Sequence, residues 1–343
     1  MLLHASDTRA LFWVLQYYVL TAACWLQHAA RPLAAPTLAG GLLLLLQIAV
    51  LCYYAFAVAC VTHNALHTRT FRSEAVERAY HQVLTVAYGH VVSSFMPGHV
   101  LSHHRHTQTR LDPMRTSKMT WRLHVLNLLL FHATVAPDVL ALDVRYTLQQ
   151  RAQPGGFWAR ACWEWCALLL LQGALLLWDW RSFGLFVFAP HVFAQWGIVT
   201  MNMLQHDGCD TQGADDARAR YSASRNFTGA LLNFLTFNNG LHTIHHLFPS
   251  MHWSRLPAEH AKIQHRIPPA LLQASMPAYL FATFVWPGRR THYLGGAVDL
   301  APATPAGLRE GEDWTTAHAP AAKQGSCADP GQTPLPPALG VGI

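Results

Sequence analysis

Charge is scarce in this sequence. Only 12% of its 343 residues are Asp, Glu, Lys or Arg, about half the share of a soluble domain, while 52% are hydrophobic. That balance excludes an ordinary cytosolic globule and places the chain in lipid. No basic run interleaved with aromatics occurs, so the formal charge of +6 speaks for a membrane surface rather than for nucleic acid. Seven cysteines (Cys24, Cys52, Cys60, Cys162, Cys166, Cys209, Cys327) include no Cys-x-x-Cys pair. This excludes a disulfide framework and a thiolate zinc site, and leaves small buried hydrophobes. A Gly-x-Gly-x-x-Gly turn for a flavin or nicotinamide fold is also missing.

What is present is long apolar sequence. Residues 10–30, 38–61, 157–178 and 183–203 are each long enough to cross a bilayer, and they pair into two hairpins. The first reads as an anchor rather than a signal peptide, because its leader has little positive charge and a second span follows closely. The short turns near residues 31–36 and 179–182 hold one Arg each, whereas the two long segments hold most of the Lys and Arg, which predicts that those segments are cytoplasmic. Residues 121–142 are apolar but broken by His124, Asn127, His132 and Pro137, so they are expected to lie along the interface or in a groove. Residues 227–237 are too short to span. The chain thus divides into a membrane domain over 1–300 and a Pro, Ala and Gly-rich disordered tail over 301–343.

Histidine is the abundant residue: 22 of them nearly equal the 24 Lys plus Arg. Imidazole binds metals and titrates near neutrality, and is rarely accumulated for packing alone. Four groups fall on the expected cytoplasmic side. His63-Asn-Ala-Leu-His67 follows the second span, and a separation of four puts both rings on one helix face. His99-Val-Leu-Ser-His103-His104-Arg-His106 and His242-Thr-Ile-His245-His246 repeat spacings of three and four. An adjacent histidine points about 100° away and can reach a second metal. Asn202-Met-Leu-Gln-His206, at the end of the last span, can close the ligand shell. The remaining histidines, His90 and His132 among them, are expected to be satisfied polar residues. Many imidazoles without cysteine suit iron in a pair better than one tetrahedral zinc. An intramembrane zinc peptidase would need Glu where Asn64 stands.

The ordered set of His63 to His67, then His99 to His106 followed by Thr-Gln-Thr-Arg-Leu-Asp-Pro, then Asn-Asn-Gly-Leu-His242-Thr-Ile-His245-His246-Leu-Phe-Pro, resembles the membrane fatty acid desaturase and hydroxylase superfamily. The likeness covers roughly residues 40–270. It implies an all-α integral membrane fold, four transmembrane helices in two hairpins under a cytosolic helical cap that carries the metal site. Two irons would be held by His63, His67, His99, His103, His104, His206, His242, His245 and His246, with Asn202 on or near one of them and no catalytic residue beyond these ligands. Two departures stand out. The second box has three residues in its first gap, leaving His103 with His106 as an alternative to His99, and Asp112 alone remains of an Asp-Pro-Asp sequel, either orienting a ligand ring or making a plain turn.

The resemblance further implies O2-dependent oxidation of a fatty-acyl chain carried on coenzyme A, acyl carrier protein or lipid, with desaturation the default outcome. Hydroxylation, alkyne formation, decarboxylation to a terminal alkene and carotenoid oxidation use similar boxes. Electrons must come from a separate donor, a ferredoxin or similar carrier with its reductase, since no cluster motif, nucleotide turn or His-Pro-Gly-Gly of a cytochrome b5 domain is present. The expected setting is a bacterial inner membrane with the active site on its cytoplasmic face. The non-enzymatic rival is a membrane metal or haem carrier. Its histidines would lie within the spans, whereas these lie at or beyond span ends.

Overall fold

The computed structural model describes residues 1–30, 37–153, 156–211, 219–296 and 298. The expected disordered tail over 301–343, the turn at 31–36 and Arg218 lie outside the described residues. The described chain is mostly helical, and five of its helices are long and apolar enough to cross a membrane: Asp7–Ala30, Leu38–His67, His124–Ala152, Phe157–Trp178 and Trp180–His206. Four coincide with the expected spans. The additional one covers the stretch assigned to the interface.

Helix α1 is Asp7–Ala30 and α2 is Leu38–His67. Thr37 caps α2 by accepting from the Gly40 N–H at 3.1 Å, and the run of leucines that follows has no polar side chain until Gln47. Burial along α2 is graded. Leu42, Leu45 and Leu46 are exposed, as lipid-facing residues are, whereas Ala57 through His63 are all buried. Small residues at Ala55, Ala57, Ala59 and Cys60 let the neighbouring helices approach closely at the end that carries the histidines.

Helix α3, Glu74–Tyr88, ends at Gly89 with φ +73°. Only glycine suits this turn. Its φ is left-handed, and a Cβ there would lie 2.2 Å from Cγ of the His191 ring. Beyond the turn a π-helical segment, Met96–His103, carries the second histidine box. Helix α4, His124–Gln149, contains Pro137, which cannot donate to the carbonyl one turn back. Asn127, in the first turn of α4, is buried and satisfied: its Oδ1 accepts from the Trp121 N–H at 3.0 Å and its Nδ2 donates to the Trp121 carbonyl at 2.8 Å.

Helix α5, Phe157–Trp178, turns at Asp179, whose carboxylate accepts from the N–H groups of Arg181 and Ser182. The chain then returns through a π turn at Gly184–Phe188 into α6, Ala189–His206. Two larger cores and two smaller ones hold the assembly, and the larger two position the site. One joins α1, α2, α3 and α6 through Val14, Tyr17, Val58, Leu84 and Ala194; the other joins α4 to α6 through Phe131, Val135, Met203 and Leu204. A short parallel pair, Asn226–Phe227 with Leu272–Gln273, and helix α7, His242–Leu247, complete the cap that faces the ends of α2 and α6.

Candidate metal centre

Nine histidines from distant parts of the chain converge in two adjoining groups. His63, His67, His99, His104 and His245 form the first, and His103, His206, His242 and His246 the second; within each group one nitrogen per ring lies within 4.8 Å of the others. The groups touch, with the His104 and His246 ring centroids 4.4 Å apart. Each group draws on three elements. The first uses the end of α2, the π-helical box and α7; the second uses the box, the end of α6 and α7.

Local helix geometry decides which ring joins which group. In α2 and α7 the pairs four apart, His63 with His67 and His242 with His246, share a group, while the neighbouring His245 turns to the other. The second box departs from the sequence expectation. A spacing of four predicts that His99 and His103 align, and their rings do stack at 5.4 Å, but the backbone there is π-helical, and its wider turn brings the residue five along within reach of the first as well. His99 accordingly meets His104, Nε2 to Nε2 at 3.1 Å, and His103 goes to the second group. His106, the alternative member of the box, stands in neither group.

The donor set fits a pair of metal ions. Nitrogens bound at right angles to one ion by bonds of about 2.1 Å would be about 3.0 Å apart. The Nε2 atoms of His206 and His242 are 2.9 Å apart and those of His242 and His246 3.0 Å. Buried Nε2 atoms of His67, His103 and His245 have no hydrogen-bond partner among the described residues. Three outer nitrogens, in contrast, have partners, whereas Nδ1 of His104, His242 and His246 is buried with none among the described residues. His103 Nδ1 donates to Asp112 at 2.9 Å, His206 Nδ1 donates to the Ala223 carbonyl at 2.9 Å, and His63 Nδ1 lies 3.3 Å from Asn64 Oδ1. Such bonds fix the tautomer and leave the inner nitrogen's lone pair free for a metal. Burial first, and the proximity of the other rings second, hold His99, His104, His242, His245 and His246 well below the ordinary imidazole value of 6.5. All five are therefore neutral at pH 7, the form that ligates.

Asp112 is completely buried. Burial pushes its carboxyl up, but the His103 ring and the N–H groups of Gln108 and Met114 outweigh that and hold it below the usual carboxylate range. It orients a ring of the second group rather than making a plain turn. Asn202 sits one turn before His206 on α6, buried, with neither amide atom hydrogen-bonded among the described residues.

A cavity of about 550 Å³ opens beneath both groups. His63 and His99 of the first group, His242 of the second and Asn202 all reach its wall, and the remainder is largely apolar, with Phe95, Val135, Val139 and Ile198 among the lining residues. Its volume is in the range of small-molecule sites.

The model of the family described as fatty acid desaturase matches residues 35–277, more than two thirds of the sequence and all nine converging histidines. The chain belongs to the fatty acid desaturase family. No curated protein matches the chain. Membership makes this desaturase-family protein an oxidoreductase of the histidine-box type, and its apolar helices suit a membrane. Two residues of this desaturase-family site were not singled out by sequence reasoning. His90 and His132, expected to be satisfied polar residues, both line the cavity. For His132 the signal was available: it is one of the polar interruptions in an otherwise apolar helix, and it faces the hollow.

Proposed function

We propose that this protein uses two irons, held by the nine histidines with Asn202 on or near one of them, to oxidise a fatty-acyl chain with O2, introducing a C=C bond. The observation that carries this reading is the shared cavity. An apolar hollow touches histidines of both groups, so an alkyl chain lying in it would run past both metal positions. An iron pair, when reduced, supplies the power to activate O2 and remove hydrogen from an unactivated C–H bond. The protein supplies aim and dryness. Asp112 and the Ala223 carbonyl hold ring orientation, Phe95, Val135 and Ile198 exclude water, and Asn202 offers an amide to the space between metal and chain.

Four spans in two hairpins remain the best topology for this function. His67 ends α2 and His206 ends α6, so both ends lie on the metal side. Because α5 and α6 are antiparallel, α5 also starts on that side, and its Glu164 accepts from the Ser93 N–H at 2.9 Å near the second box. A chain that leaves α2 and enters α5 on the same side leaves no net crossing for α4. This supports α4 as a helix laid against the bundle, with the basic segments and the metal centre on the cytoplasmic face of a bacterial inner membrane. The acyl carrier is coenzyme A, acyl carrier protein or a membrane lipid, and electrons arrive from a separate ferredoxin-type donor and reductase.

Mass spectrometry of total acyl chains from a host expressing the protein tests the reaction. Acyl chains short of two hydrogens, absent from cells expressing His245→Ala, are the expected result. Chains that gain an oxygen instead would replace desaturation by hydroxylation, and unchanged chains would sink the acyl reading.

A further inference from the structure

A basic residue of a polar segment ordinarily sits at the surface, yet Arg225 is only 2% exposed. It stands just before the short strand Asn226–Phe227, and its guanidinium lies over the Tyr279 ring, 4.2 Å from the centroid. Its other neighbour is the end of α6. The last carbonyls of a helix have no partner within it, and α6 ends on one of the converging rings, His206. Arg225 Nη1 donates to the Leu204 carbonyl at 3.0 Å and to the Asp207 carbonyl at 2.7 Å, while its backbone N–H donates to the Gln205 carbonyl at 2.6 Å. A cation in this position is also favoured by the helix dipole.

The same stretch of chain reaches His206 directly. Ala223, two residues before Arg225, offers the carbonyl that accepts from His206 Nδ1 at 2.9 Å. With the backbone at 225 held on Gln205, that carbonyl is kept at the ring. One anchored segment therefore fixes both the helix end and the outer nitrogen. Next along, Asn226 Oδ1 accepts from the Thr243 N–H at 3.0 Å in the first turn of α7, where Leu241 at the cap position has no side-chain oxygen to offer. Residues 223–226 thus join the helix that carries His206 to the helix that carries His242 and His246. Helix α6 contributes a ring to the second group alone.

We infer that Arg225 is a positioning residue for the second metal position: by capping α6 it holds His206 on the same ion as His242 and His246, and it does not serve the first position. The final turn of a helix frays first when its carbonyls lose their partners, and His206 is the last residue of that turn. The inference rests on the two-metal reading of the nine histidines.

Cobalt uptake by the metal-free, full-length protein in detergent tests it, with the visible bands of bound Co2+ as the readout and His206→Ala as the reference for a damaged second position. Wild-type protein takes up two Co2+ per chain. Arg225→Met keeps an apolar stem and loses the guanidinium donors. It binds one ion as tightly as wild type and the other about 10-fold to 100-fold more weakly, and its one-ion spectrum matches that of His206→Ala. Arg225→Lys retains the charge and a donor without the planar fork, so the second ion is weakened less than in Arg225→Met. Wild-type affinity for both ions in Arg225→Met overturns the inference. Weakening of both ions alike, or of neither, in Arg225→Lys overturns it as well, and that variant decides the matter if Arg225→Met loses its cooperative melting transition. If wild-type protein takes up fewer than two ions, the two-metal reading fails and takes the inference with it.

Discussion

His103 donates its Nδ1–H to Asp112 across 2.9 Å, and neither side chain has any exposed surface. Among the described residues it is the one of the nine converging rings oriented by a carboxylate, and that carboxylate is itself fixed by the N–H groups of Gln108 and Met114.

Asp112→Asn should therefore weaken the second metal position without unfolding the protein. An amide can present its NH2 to His103 and favour the wrong tautomer, turning a proton toward the metal. Losses of about 10-fold to 100-fold in metal affinity or activity are expected. Iron content and turnover measured on membranes with unchanged protein level check this; full activity with full iron would refute the orienting role.

His67→Ala, His104→Ala and His245→Ala each remove a ring from the first group and should abolish turnover while the protein stays inserted. Wild-type protein should hold about two irons per chain, activity should return with ferrous iron and not with zinc, and each variant should fall toward one. His318→Ala should change nothing. Normal turnover in any of the three, or equal loss at His318, contradicts the assignment.

Acid should destabilise the metal-free protein. His99, His104, His242, His245 and His246 have folded-state values depressed below 6.5 by burial. Below about pH 6.5 the unfolded rings take up protons that the folded ones refuse, so stability present at pH 7 to 8 is lost as pH falls. Melting temperatures of chelator-treated protein should drop steadily from pH 7 to pH 5. A flat profile would mean that these rings are not buried together.

Turnover should require added electron carriers. Oxygen chemistry at reduced iron consumes two electrons each cycle, and the sequence offers no cluster ligands or nucleotide turn to deliver them. With substrate, O2 and NAD(P)H, repeated turnover is expected only when ferredoxin and its reductase are added, and it should weaken with salt if basic and acidic faces dock. Repeated turnover without them would overturn this.

Much of the architecture was legible in the sequence because lipid imposes long apolar runs. Residues 10–30, 38–61, 157–178 and 183–203 all became helices near their expected limits. Residues 121–142 were harder. His132 and Asn127 looked like reasons against a membrane span, yet the helix there is long and apolar enough for one; Asn127 bonds the Trp121 backbone and His132 faces a cavity that sequence cannot display. The sorting of adjacent rings at His245 and His246 into separate groups follows from helical spacing. The sorting of His99 and His103 does not, because a π-helical turn brings His104 within reach of His99 as well, and no residue type announces that turn.

The wide separation of the converging rings along the chain bears on how the molecule matures. His63 and His67 are made early, and His245 and His246 only after both hairpins are complete. A metal ion seated as proposed is a clasp between the end of the first hairpin and a helix beyond the second, closing loops whose entropic cost grows only slowly with length. The clasp cannot shut until the cap has been synthesised and laid over the stem.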